Sequence, residues 1–199
     1  VKILTCEQRS EEWFEARCGV PTASNYSKII TSTGLPSKSA DKYMYKLAGE
    51  AITRVPTDTY MSEPMQKGME EEPVARALYQ FTTGREVEEV GLCLSEGEFV
   101  AGASPDGLIG VDGGLEIKCP NIGTHVAYLL KNKFPTAYVQ QVQGCMYITG
   151  RKWWDFMSYY EGLDPLIIRV ERDDEFILKL ALELEMFCRK LQETITKIS

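Results

Sequence analysis

The sequence predicts an α/β domain with a central mixed β-sheet flanked by helices. Two observations carry that prediction. The pattern runs from helices, through a series of short strands, to a helix, two strands and a closing helix, which is the order of an α/β layer fold. The chain has 199 residues, 44% hydrophobic and 26% charged, enough to bury one real core in an ordinary globular composition. No internal repeat, low-complexity tract or linker divides it, so residues 1–199 read as one domain.

The first half is helical. In residues 10–19, Ser10 can cap a helix, Glu11 and Glu12 fill its first turn, Arg17 lies in its last and Gly19 can end it. Pro21 and Thr22 then open a second helix to about Ile30. Residues 31–39 are rich in Ser, Thr, Gly and Pro and read as a mobile loop. Residues 41–54 form a helix with Tyr43, Leu47 and Ala51 on one stripe, and residues 55–61 a connection. Residues 65–81 are helical again, with Pro73 as a point of kink or restart and Gly84 as the end.

The second half carries the sheet. Strands are expected over 86–94, 99–103, 108–110 and 115–118, the last stopped by Cys119-Pro120-Asn121. A helix follows over 137–148, with Tyr138, Gln141, Cys145 and Ile148 on one face. Strands over 153–160 and 166–172 lead to a final helix over 175–197, capped by Asp173 or Asp174.

Composition removes several function classes. Six cysteines are scattered without a CxxC pair, which argues against a zinc or iron–sulfur site and a disulfide framework. A single histidine, His125, leaves histidine-based triads and HExxH sites poorly supported. No GxxxxGK[ST] loop occurs. No apolar run approaches the ~20 residues that span a bilayer, and the opening residues are too polar for a signal peptide. A soluble, cytoplasmic protein with reduced thiols is expected. The net charge of −7 argues against nucleic acid in general, although a locally basic groove is compatible with it.

The chemistry concentrates in residues 104–118. Asp112-Gly113-Gly114 supplies residues that tolerate positive φ, as a tight hairpin turn needs. After it, Leu115 and Ile117 alternate with Glu116 and Lys118, so the apolar pair faces a core and the charged pair shares the other face. Asp106 sits at the mouth of the same hairpin. Two carboxylates and an ammonium suit a hard divalent cation and a water-activating lysine. A surface Glu/Lys pair is the ordinary alternative for so short a pattern.

Three further groups have two readings each. Glu72 shares a helix face with Met69, Arg76 and Tyr79, and an inward acid needs a partner: Arg76 at i+4, or a metal-bound water. Arg17, Thr22 and Ser24 meet at a helix junction that suits phosphate, or simple capping. Gln141 suits a phosphate or base contact, or a hydrogen bond within the core.

Taken together, these blocks resemble the phage lambda-type exonucleases, the YqaJ-like viral recombinases within the PD-(D/E)xK nuclease fold. The blocks are Trp13-Phe14-Glu15-Ala16-Arg17 with Thr22-Ala23-Ser24, Gly68-Met69-Glu70-Glu71-Glu72 with Phe81-Thr82-Thr83-Gly84, Ser104-Pro105-Asp106-Gly107, Gly114-Leu115-Glu116-Ile117-Lys118-Cys119-Pro120 and Ala137-Tyr138-Val139-Gln140-Gln141-Val142-Gln143. Their order and spacing fit from about residue 10 to residue 172.

The resemblance implies a restriction-endonuclease-like core and a Mg²⁺-dependent exonuclease. Such an enzyme degrades one strand of linear duplex DNA from a 5′-phosphorylated end, releasing mononucleotides and leaving a 3′ overhang. It implies two metal ions per site, with Mn²⁺ as a substitute, held by Asp106, Glu116, the Ile117 carbonyl and, through water, Glu72. Lys118 orients and activates the attacking water, and Gln141 lies beside the reacting phosphate. Arg17, Ser24 and Ser104 hold the terminal phosphate, while Trp13, Thr22 and Gln143 face DNA. A homotrimeric ring, a phage single-strand annealing protein as partner and a bacterial host cytoplasm are implied too. The family's extra basic phosphate contact after the motif lysine is missing, leaving Thr124 or His125 as its substitute. Two other functions stay open at this point: an endonuclease or repair nuclease of the same fold, and a non-catalytic DNA-end-binding adaptor.

Overall fold

Leu115 and Ile117 turn to one face of a central strand and Glu116 to the other, and helices cover both faces. The computed structural model describes residues 1–57 and 62–199. Strand β1 is Lys2–Leu4, β2 Leu92–Leu94, β3 Gly102–Ala103, β4 Gly107–Ile109, β5 Gly113–Lys118, β6 Trp153–Ser158 and β7 Leu166–Glu171. Helix α1 is Glu11–Arg17, α2 Ala40–Thr53, α3 Glu63–Thr83, α4 Ile122–Lys131, α5 Val139–Thr149 and α6 Asp174–Ile198. Short 3-10 turns cover Ala23–Lys28 and Thr136–Tyr138.

The main sheet has the order β4-β5-β6-β7, and β1-β2-β3 form a smaller antiparallel sheet. β5 runs antiparallel to β4 and parallel to β6, with Glu116 opposite Phe156 and Lys118 opposite Ser158. The parallel pair needs a long crossover, and α4 and α5 supply it. Ala75 and Tyr79 of α3 pack with Ile109, Leu115, Ile117, Met157 and Tyr159 on one face. The larger core, on the other side, joins Tyr26, Leu47, Met146, Trp154, Leu180 and Leu184. The mixed sheet flanked by helices is the expected class.

Local differences have local causes. The hairpin turn spans residues 110–112, with Gly110 at φ +52°, so of the expected Asp112-Gly113-Gly114 only Asp112 belongs to it. Gly113 and Gly114 belong to β5, where the rings of Trp153 and Trp154 lie 2.1 and 2.3 Å from where a Cβ would stand. These two glycines serve close packing rather than positive φ. The expected strand over 86–94 shortens to β2, with Glu88 making an isolated bridge to Leu108. The strand over 99–103 shortens to β3. Residues 31–39 form a tied turn, Ile30 bridging Pro36 and Ser37 N–H donating to Ile29 O. Helix α3 runs unbroken through Pro73. Residues 58–61 of the expected 55–61 connection lie outside the described residues.

Two elements were not expected. β1 is only three residues long. α4 begins where Pro120-Asn121 reads as a stop, yet the Asn121 side chain accepts from Thr124 N and caps the helix. All six cysteines are free thiols. Among the described residues no helix is long and apolar enough to cross a membrane.

Candidate active site

The centre of the site is the edge of β5. Glu116 is fully buried, and its Oε1 accepts from Lys118 Nζ and from Gln141 Nε2 of α5, each at 2.5 Å. Lys118 also lies over the Tyr138 ring at 5.3 Å. Asp106 approaches from the turn before β4, and its Oδ2 accepts from the Ile117 backbone N–H at 2.6 Å. The alternation of β5 thus sends Glu116 and Lys118 to one face, as expected, while a backbone bond ties Asp106 beside them.

These charges perturb one another. Burial pushes the Asp106 carboxyl well above the usual range, and the neighbouring Glu116 adds to it while Lys118 opposes. Burial likewise raises Glu116, against the pull of Lys118. For Lys118 burial disfavours the charge, but Glu116 and Asp106 together outweigh it and raise its pKa. The lysine is therefore an ammonium in this arrangement, a donor and a positive charge.

Glu72 reaches the site from α3. Its Oε1 pairs with Arg76 at 2.6 Å and its Oε2 with Arg9 at 3.5 Å. Arg76 is itself fixed, donating to the Asp106 carbonyl at 3.1 Å and pairing with Glu89 at 2.7 Å. Both readings of Glu72 therefore meet in one residue: it has its i+4 arginine, and it lines the same cavity as Asp106.

The second corner is built on α1 and the turn after it. Ser10 caps α1 by accepting from Trp13 N, and Trp13 and Arg17, at i and i+4, share one face of the helix. The Arg17 guanidinium lies 4.1 Å from the Trp13 ring centroid. It donates to Ser104 Oγ and to Thr22 Oγ1, both at 3.1 Å. Trp13 Nε1 donates to Ser104 Oγ and to Gly91 O, both at 3.0 Å. One open cavity of about 520 Å³ is lined by Trp13, Arg17, Thr22 and Ser24 at one end and by Glu72, Asp106, Ile117 and Lys118 at the other.

Three expected contributors lie elsewhere. Gln143 is buried, donating to Glu171 O and accepting from Asp173 N, both at 2.9 Å. It joins β7 to α6, so a DNA contact through it is withdrawn. His125 is also fully buried, with Nδ1 2.8 Å from Ser158 Oγ and Nε2 3.1 Å from Asp164 O. It cannot replace the missing basic contact. Thr124 sits in the first turn of α4, and its backbone N–H is taken by the Asn121 cap. Arg9 was not anticipated at all: it precedes α1 without periodicity or motif, yet lines the cavity.

The donor set fits a hard divalent cation. Among the described residues, Glu116 Oε2 is a buried oxygen with no hydrogen-bond partner, which is costly unless something else satisfies it. Asp106, Glu116 and the Ile117 carbonyl are oxygen ligands of the kind Mg²⁺ takes. Among the described residues no three His, Cys, Asp or Glu side chains converge on one point. The protein offers two close carboxylates, and Mg²⁺ commonly fills its remaining positions with water and substrate phosphate.

A model of the YqaJ-like viral recombinase domain matches residues 12–152, a span that includes Asp106, Glu116, Lys118 and Gln141. The chain is 39% identical to LHK-Exo solved in complex with dAMP, covering 95% of this chain and 96% of that one, with a TM-score of 0.86. A second structure of that protein, described as an alkaline exonuclease from Laribacter hongkongensis, matches at 38% identity over 95% and 96% of the two chains, with a TM-score of 0.84. A phage-related exonuclease from Haemophilus somnus 129PT shares the fold at 18% identity, covering 90% and 96%, with a TM-score of 0.69. No curated protein sequence matches significantly.

Proposed function

Because the chain belongs to the YqaJ-like viral recombinase family, we propose that it is a DNA exonuclease that consumes one strand of linear duplex DNA from a 5′-phosphorylated end. The observation that carries this reading is the shared cavity: Arg17, Thr22 and Ser24 at one end, Asp106, Ile117 and Lys118 at the other. The structural similarity to an alkaline exonuclease supports the same class of reaction.

Asp106, Glu116 and the Ile117 carbonyl would hold Mg²⁺, with Glu72 supporting a second ion and Mn²⁺ as a substitute. Such ions would offset negative charge on the phosphoryl oxygens and on the leaving oxygen. Lys118, held by Glu116, orients the attacking water and offsets developing negative charge. Gln141 fixes the Glu116 carboxylate that Lys118 also binds. Arg17, Ser104 and Ser24 grip the terminal phosphate with charge-assisted and hydroxyl donors.

The reaction balances with water alone. Water oxygen bonds to the phosphorus joining the first and second nucleotides, the P–O3′ bond breaks, and the leaving O3′ takes a proton. The first nucleotide departs with its own 5′-phosphate. The shortened strand gains a 5′-phosphate, so each turnover regenerates the group that the Arg17 corner recognises, and a 3′ overhang grows. A homotrimeric ring and a phage single-strand annealing partner belong to this reading through the family resemblance.

The test uses linear and covalently closed duplexes, each with Mg²⁺ or chelator. Mononucleotide release from the linear 5′-phosphorylated duplex only, and only with metal, is the expected result. Equal cleavage of closed circles would assign an endonuclease instead, and end binding without cleavage a non-catalytic adaptor.

A further inference from the structure

Arg9 stands on a strained backbone at the edge of the candidate site. Its φ is +70°, a left-handed conformation uncommon for residues other than Gly, Asn and Asp. Such strain persists only when the surroundings impose it, and it concentrates at functional sites. The surroundings here are explicit. Gln8 Nε2 donates to Val90 O at 2.9 Å and to Pro105 O at 2.8 Å, pinning the chain one residue before Arg9 to the residue before Asp106.

Stability does not explain why an arginine occupies this position. Its ion pair with Glu72 is 3.5 Å long, with an Arg9 side chain 39% exposed, a geometry that contributes little. Glu72 already has a closer partner in Arg76. Glycine would adopt the same φ without strain. The cation does have a place: Arg9 lines the 520 Å³ cavity and also an adjoining one of about 320 Å³. Glu72 and Asp106 line both as well, so Arg9 stands at the boundary the two share.

We propose that Arg9 binds a backbone phosphate of the strand being digested, at the boundary between these two cavities, and leaves Glu72 to do so. This rests on the exonuclease reading above and adds a contact distinct from the 5′-phosphate corner at Arg17. A guanidinium suits this task, since it offers paired donors to phosphate oxygens.

The informative variant is Arg9→Gly, because it removes the cation while relieving the backbone. Melting temperature is measured alongside duplex affinity across a salt series in chelator, where no cleavage occurs. The expected outcome is a melting temperature equal to or above wild type, with weaker duplex binding. The slope of log affinity against log salt should fall by about 1, the loss of one phosphate contact. Arg9→Lys should keep the salt slope, because it keeps the charge. Unchanged affinity and slope in Arg9→Gly, with wild type still digesting linear duplex, would overturn the Arg9 assignment alone. Failure of wild type to bind or digest duplex would overturn the exonuclease reading and this inference with it.

Discussion

Lys118 Nζ lies 2.5 Å from Glu116 Oε1, two residues away on the same strand face. The pair is buried at the carboxylate end, and the Glu116 Oε2 beside it has no partner among the described residues. One carboxylate therefore holds the lysine through one oxygen and leaves the other for the proposed cation. That division of labour makes separable predictions for the two residues.

Lys118→Ala should lower cleavage by at least about 10²–10³-fold, the scale of losing one donor to transition-state charge. Duplex-end binding should stay within a few-fold. Single-turnover rates and equilibrium binding on the same preparation check both. A variant with normal turnover would remove Lys118 from the mechanism.

Mg²⁺ should stabilise the protein through Asp106 and Glu116. A ligand at about 100 times its Kd adds about 2.7 kcal/mol, roughly 5–10 °C for a chain of this size. Asp106→Ala and Glu116→Ala should each lose that shift, and the double variant should cleave no worse than either single one. Independent, multiplicative losses in activity would contradict a shared metal site.

Glu72→Gln separates support of a metal from simple pairing. Arg76 keeps Glu89 and the Asp106 carbonyl as partners, so melting should change little. Hydrolysis should slow sharply. If instead the melting temperature falls and turnover is spared, Glu72 serves Arg76 alone.

Arg17 should set the preference for the DNA end. Each charge-assisted bond contributes about 1.5–3 kcal/mol, so Arg17→Ala should slow digestion of a 5′-phosphorylated end by roughly 10- to 150-fold. It should act on a 5′-hydroxyl end much like wild type. Arg17→Lys should recover only part, lacking the planar fork. Initial rates on matched duplexes decide it, and a full phosphate preference retained by Arg17→Ala would reduce Arg17 to a helix-end cation.

Gln143→Ala should behave oppositely to a DNA-contact variant. It removes two hydrogen bonds, to the Glu171 carbonyl and from the Asp173 N–H, a loss of about 1–3 kcal/mol for the pair. Thermal melting should drop, while the salt dependence of duplex binding stays at the wild-type slope.

Much of the site was legible in the sequence because strand alternation is a local rule. Residues two apart share a face, so Glu116 and Lys118 had to meet and Leu115 and Ile117 had to turn away. The Ser10 cap and the Arg17 position in α1 were equally local. What periodicity cannot supply is the neighbour that covers a face. Gln141 and Gln143 are two residues apart on one helix, hence about 200° apart around its axis. One bonds Glu116 at the site and the other bonds the β7–α6 junction, a choice made by how α5 packs. Gly113 and Gly114 read as a turn until two tryptophans from β6 are seen against them. Arg9 has no pattern of its own, and long-range bonds such as those from Gln8 across to Val90 and Pro105 bring it to Asp106. The sequence by itself determined which side chains are chemically suited to such a site and which face of each element they share. The tertiary structure decided which of them meet, because contacts between residues 25 to 97 positions apart are set by the packing of whole elements.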